Sequence, residues 1–414
     1  MTMSRTETLY GGEDLPPLGK AEIILVVPFH NEEQILPQFI DSLKANQTSA
    51  EKIYILGINH RSEDKSEEVL RIATHGYVAT GIVHEDQVIA SVGIPRQRGL
   101  ETAFDLVRKN SRRKTIVGSI DADSIVSPHF FEEAERFLDT EHDFLLFPTR
   151  NDQRQFLECI GMQKDEASVN AALYALVGVD WLKYQLRALL LNAGAIETRG
   201  SGGYFFTAEG YAKAHGHKAV YSADGTIVTG ESNAVGIRAK RNRATAIVSS
   251  YLNTASPRRI FKSLRTSTDG YVLASGGKTF ESIANNQELP ILGCAQWEQW
   301  FQKMIYGAIR TFVIKAIAYE VVPELQANIQ IPELYELLEA AKAIYETTMF
   351  VADEKDAIGS RAYISVFGQA YESLGGIKQS TLTQKLLLQL PDKENLIQWA
   401  QDISLVIEPQ RNLR

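Results

Sequence analysis

The sequence predicts an α/β protein: a mostly parallel twisted sheet with helices on both faces, followed by a mainly α-helical C-terminal region. Three observations carry this. In the front half, short β-branched runs alternate with stretches of helical period, the pattern of strands joined by crossover helices. The runs are continuously apolar, as in strands covered on both faces. From about residue 255 the apolar residues recur every three or four positions, the spacing of helices that bury one stripe.

The elements follow in order. Ile23-Ile24-Leu25-Val26-Val27 reads as the first strand, ended by Pro28, and Ile35, Leu36, Phe39, Ile40 and Leu43 then recur at helical spacing. Ile53–Leu56 is the second strand, and a polar stretch, NHRSEDKSEE, leads into a helix around Val69, Leu70 and Ile72. A third strand falls within residues 77–83 or 82–89, and a helix over Leu100–Val107. Thr115–Ile120 is a fourth strand running straight into Asp121-Ala122-Asp123, and Phe144–Phe147 a fifth. Residues 165–194 read as a long helical insert and 200–240 as Gly-rich turns with short strands. Helices are then expected over Trp297–Phe312 and residues 333–347, 361–374 and 380–390. The chain of 414 residues is long enough for two or three domains. The divisions are a loose arm over 1–20, a front domain over 21–250 and a helical domain over 251–414.

Lys plus Arg number 43 against 51 Asp plus Glu, a net charge of −8. Phosphate-backbone binding needs a net positive face, so nucleic acid is excluded as a general partner. Cys159 and Cys294 have no metal-ligand spacing and form no disulfide framework, which fits a reducing cytoplasm. The first 20 residues lack the apolar stretch of a signal peptide. Residues 170–195 carry Asp180, Lys183 and Arg187, and 303–322 carry Lys303, Arg310, Lys315 and Glu320. A bilayer core penalises such charges by a few kcal/mol each, so no integral span is expected. A cytoplasmic location is expected, with peripheral attachment to the inner membrane face left open.

Ligands of parallel sheets sit at the carboxyl ends of strands, where Asp121 and Asp123 emerge. Two residues apart on an extended chain, they point the same way. Nearby carboxylates repel unless a cation joins them, and a hard divalent ion with water and phosphate oxygens satisfies that need. The alternative is a pair of turn residues before the next helix, with Ser124 or Ser127 as its N-cap.

The opening EIILVVPFHNEEQILPQFIDSL, SIDADS in its strand context and the later RGSGGYFFTAEGYAKAHGH together resemble the family 2 glycosyltransferases, enzymes of the GT-A fold that use nucleotide-diphosphate sugars. The resemblance covers roughly residues 21–242. It implies that Pro28, His30 and Glu32 line the nucleotide site, with Glu32 toward ribose or base. Asn59 and His60 stand where the family has an acidic pair, followed by Asp64; an amide and an imidazole still hydrogen-bond a base edge. Arg96 and Arg98 match the basic position near the diphosphate, which a guanidinium fork suits. Gly202, Gly203 and Tyr204 resemble the acceptor-side loop, where glycine admits close backbone approach and an aromatic ring stacks on a sugar. Asp121 and Asp123 become the Mn2+ or Mg2+ ligands, with Asp121 also against the donor.

Inverting members need a carboxylate to take the acceptor proton. Glu231 matches the first acid of the family's pair, Ser232 replaces the second, and Asp224 is the other candidate. All eight histidines lie at or before position 217, so the late histidine ligand common in retaining GT-A enzymes has no counterpart, which favours inversion. The processive Gln-x-x-Arg-Trp motif is absent. The resulting expectation is a metal-dependent, inverting, non-processive transfer from a UDP- or GDP-sugar to the hydroxyl of a small molecule or glycan, with homo-oligomerisation open. Alternatives are a retaining synthase of a glycosylated small solute such as a glycosylglycerate, and an inactive nucleotide-sugar-binding scaffold.

Overall fold

The computed structural model describes residues 15–86, 93–109, 114–151, 183, 186–198, 202–216, 231–255, 312, 315–316 and 319–328. The strands are β1 (Ile23–Phe29), β2 (Ile53–Asn59), β3 (Ala79–His84), β4 (Ile116–Ser119), β5 (Ser124–Ile125), β6 (Phe144–Leu146), β7 (Thr149–Asn151), β8 (Tyr204–Phe206), β9 (Ala246–Val248) and β10 (Asn253–Ala255). The helices are α1 (Leu36–Lys44), α2 (Ser66–Thr74), α3 (Gly93–Lys109), α4 (Phe130–Leu138), α5 (Ala208–Lys213), α6 (Glu231–Arg241) and α7 (Val322–Asn328).

The main sheet has the order β3-β2-β1-β4-β8-β6-β9. Its pairs are parallel except those made by β8, which runs antiparallel to β4 and β6. The α/β expectation therefore holds. A small second sheet, β5-β10-β7, carries the pairing of the front region on to Ala255.

The continuous apolar runs have the reason inferred from sequence, because both faces of β1 are buried. Ile23, Leu25, Val27 and Phe29 pack with Leu36, Phe39, Ile40 and Leu43 of α1 and Phe130, Phe131 and Phe137 of α4. Ile24 and Val26, from alternate positions, pack on the other face with Leu100, Ala103 and Phe104 of α3 and Val235 and Ala239 of α6. The alternation of Cβ direction along one strand thus feeds two separate cores.

Three expectations are corrected. Residues 15–20 are not a loose arm: Leu18 is buried, and Pro16 O accepts from the Tyr54 hydroxyl at 3.2 Å. That phenol lies over the sheet, its pKa pushed up to about 12 by burial. Helix α3 begins at Gly93 rather than Leu100, because Pro95 suits a first turn that lacks N–H partners. Arg96 and Arg98 therefore lie inside this helix, not ahead of it. Finally, neither Ser124 nor Ser127 is the N-cap of α4, which is His129; Ser124 belongs to β5. The helices expected over 333–347, 361–374 and 380–390, and most of the 165–194 insert and of the one over Trp297–Phe312, lie outside the described residues.

Candidate active site

The parallel strands deliver their carboxyl ends to one edge. Phe29 is in register with Asn59, and Asn59 with His84, while β4 ends at Ser119 opposite Val26. Strand β8 runs the other way, so its first residue, Tyr204, lies opposite Ser119. The preceding Gly202-Gly203 loop consequently arrives at the edge where Asp121 emerges. Gly203 has φ +72°, a left-handed conformation that costs other residues energy, and its carbonyl accepts from Phe147 N at 3.1 Å.

Asp121-Ala122-Asp123 is a turn, not a continuation of the strand. Ser124 N donates to Asp121 O at 3.1 Å and Ala122 is buried, so turn geometry, not pleating, aims the two carboxylates. Asp121 Oδ1 is in contact with Arg96 Nη2. The same guanidinium donates from Nε to Ser119 Oγ at 3.2 Å, and Arg96 is only 3% exposed. Asp123 is half-buried, with Oδ1 sealed from solvent. Two residues along α3, Arg98 Nη1 lies 3.5 Å from Glu85 Oε2, and Glu85 is buried just past β3. The edge is thus an array of alternating charge. Sequence reading missed Glu85 and Ser119; the signal for both was their place at the end of a strand.

The loops after β1 and β2 are sewn together. Asn31 N donates to Ser62 Oγ at 3.2 Å, Glu32 N to Ser66 Oγ at 2.6 Å and Glu63 N to Asn31 Oδ1 at 2.8 Å. Asp64 takes Glu33 N at 3.1 Å, Ser66 N at 3.0 Å and the Ser66 hydroxyl. Burial pushes its carboxyl up, but these donors outweigh it and hold it below its usual value. Asn59 donates to Glu67 Oε2 at 2.9 Å and accepts from Ser62 N at 2.9 Å. Both residues, expected at the nucleotide, are thereby engaged in holding the loops. His30 is exposed and His60 half-exposed, with ring centroids 5.9 Å apart, and His30 Nδ1 lies 2.6 Å from His60 O. Glu32 is half-buried, whereas Pro28 lies inside β1.

Glu231 is the first residue of α6; the side chains of residues 231–234 lie outside the described residues, as does Asp224. Within the basic stretch after it, Arg238 donates to the carbonyls of Ala214 and Gly216 at 2.8 and 3.2 Å. Arg241 pairs with Glu320 at 3.0 Å.

Among the described residues no group of three or more His, Cys, Asp or Glu side chains forms a metal cage. The two aspartates still fit a divalent ion: both offer hard oxygen donors, which suit Mg2+ or Mn2+ completed by water and phosphate.

Residues 24–174 match the family model described as Glycosyl transferase family 2. The chain carries a family 2 glycosyltransferase domain. No curated protein matches it by sequence. Among solved structures, the mannosyltransferase PcManGT from Pyrobaculum calidifontis, in complex with GDP-Man and Mn2+, is 15% identical over 87% of this chain and 89% of its own, at a TM-score of 0.40. S. aureus TarS 1-349 in complex with UDP-GlcNAc is 12% identical over 79% and 92%, at 0.38. M. tuberculosis glucosyl-3-phosphoglycerate synthase is 17% identical over 57% and 71%, at 0.33. These likenesses are loose. Among the described residues no helix is long and apolar enough to cross a membrane.

Proposed function

We propose that this glycosyltransferase moves a sugar from a UDP- or GDP-sugar to the hydroxyl of a small molecule or glycan, with inversion and without processive polymerisation. The observation that supports this best is the meeting, at one sheet edge, of Asp121 and Asp123 with the Arg96 guanidinium and the Gly202–Tyr204 loop.

Asp121 and Asp123 hold Mn2+ or Mg2+, which when bound neutralises charge on the departing diphosphate. Arg96 and Arg98, in the first turns of α3, add guanidinium charge and a helix N-terminus beside the phosphates. The loops carrying His30, Glu32 and His60 face the nucleoside. Asn59 and Asp64 fix those loops. Gly202 and Gly203 let backbone approach the acceptor, with Tyr204 behind them. Glu231 takes the proton of the acceptor hydroxyl as its oxygen bonds to the anomeric carbon. The bond from that carbon to the diphosphate breaks, and its electrons leave with the nucleotide. A cytoplasmic site fits a chain with only two cysteines, Cys159 and Cys294, and the nucleotide-sugar donor.

Thermal-shift screening with UDP- and GDP-sugars in Mn2+, followed by proton NMR of the product, tests this reading. Stabilisation by one nucleotide class and an inverted anomeric centre are expected. Retained configuration overturns inversion, and nucleotide binding without transfer or hydrolysis overturns the enzymatic reading.

A further inference from the structure

Glu197 is absent from the sequence-derived site, yet among the described residues it is one of the most buried charges, 1% exposed. Arg187 Nε donates to its Oε2 at 2.7 Å, and Lys315 Nζ contacts its Oε1. Arg187 and Lys315 are themselves 7% and 5% exposed. Three stretches of chain therefore meet on one carboxylate: the helical residues 186–192, the segment before the acceptor-side loop, and the helical region near residue 315. Desolvating such a group is repaid only by close, well-aligned partners, so the cluster tolerates little displacement of any of the three.

Two contacts carry this constraint to the site. A Cβ on Gly202 would lie 3.3 Å from Arg187 Nη2, and closer still to Phe147 O and Thr149 Oγ1. Gly202 is thus wedged between the guanidinium and the end of the sheet. Its carbonyl accepts from Asn253 Nδ2 at 2.6 Å, and Asn253 Oδ1 accepts from Ser127 N at 2.8 Å, four residues past Asp123. On the other side, a Cβ on Gly236 of α6 would overlap Ile196 O and lie 3.2 Å from Tyr319 Cε1. Helix α6, which begins at Glu231, is seated between the residue before Glu197 and the segment that bears Lys315.

We infer that Glu197, clamped by Arg187 and Lys315, is a positioning residue that docks the 315–319 segment onto the glycosyltransferase domain and thereby fixes both the Gly202–Tyr204 loop and helix α6. The inference rests on the proposed reading of that loop as the acceptor side and of α6 as the carrier of the base. It makes the region beyond residue 255 a working part of the site, because one of the two cations comes from there.

Hydrogen exchange by mass spectrometry on the full chain, with steady-state hydrolysis of UDP-glucose and GDP-mannose in Mn2+, tests it. In Glu197→Gln and Lys315→Met, exchange of peptides covering 202–206 and 231–241 should rise at least tenfold together, while β1 stays protected. Lys315→Arg, which keeps the cation, should restore protection. Asp143→Asn controls for loss of any buried ion pair: Asp143 binds Lys213 and lies at the opposite end of β6, so peptides around 143 and 208–213 should respond and 202–206 should not. For whichever donor the wild type hydrolyses, Glu197→Gln should lower kcat at least tenfold with donor KM within twofold. Unchanged exchange at 202–206 and 231–241 overturns the inference, as does a uniform rise that includes β1. If the wild type hydrolyses neither donor, the functional reading falls, while the exchange pattern still decides whether the cluster docks these segments.

Discussion

Arg96 and Asp121 form an ion pair within the carboxyl edge of the sheet, with Ser119 Oγ holding the guanidinium from the strand side. Their side chains are 4% and 21% exposed, so the pair is shielded from the screening that makes surface pairs nearly neutral. Removing one member of a buried pair strands the other. Arg96→Met should therefore lower stability by about 3 kcal/mol, read as a shifted denaturant midpoint at unchanged slope.

Under the proposed function Asp123 is a metal ligand. Asp123→Ala should abolish Mn2+-dependent binding of UDP and GDP while leaving the thermal midpoint close to wild type. Calorimetry with and without Mn2+ checks this, and an unchanged affinity would remove the metal role.

Glu231→Gln keeps shape and hydrogen bonding but cannot accept the acceptor's proton. Turnover should fall by roughly 10²–10⁴-fold, the usual worth of a general base, with donor affinity nearly unchanged. A near-normal rate moves the base elsewhere or favours retention.

The Asp64 carboxyl is held below its ordinary 3.8 because donors from Ser66, Glu33 and its own backbone outweigh burial. A folded-state value lowered in this way stabilises the protein above the unfolded value, and the contribution disappears as pH falls through the folded one. The difference in melting temperature between wild type and Asp64→Asn should thus be full at neutral pH and fade as pH falls below the ordinary carboxylate value and through the lowered folded-state one. A difference independent of pH would show that the lost stability is not electrostatic.

Gly203 holds φ +72°, and a Cβ there would lie 3.0 Å from Phe130 Cε2. Gly203→Ala should cost about 1–2 kcal/mol from the left-handed backbone alone, measured by chemical denaturation.

The β-branched runs determined the strands and their burial on two faces, since hydrophobic period and chain chirality are local properties that leave few alternatives for a parallel sheet. That is why β1, β2, β4 and the emergence of Asp121 just past the end of β4 were legible from residues alone. What lay beyond local pattern was who meets whom. That Asp121 turns toward Arg96, and that Leu18 covers the sheet, depend on segments far apart in sequence. So does the clamp on Glu197, whose partners lie 10 and 118 positions away. A charged residue in isolation reads as solvated surface; only when distant segments exclude water around it does its partner become obligatory, and that exclusion belongs to the tertiary fold.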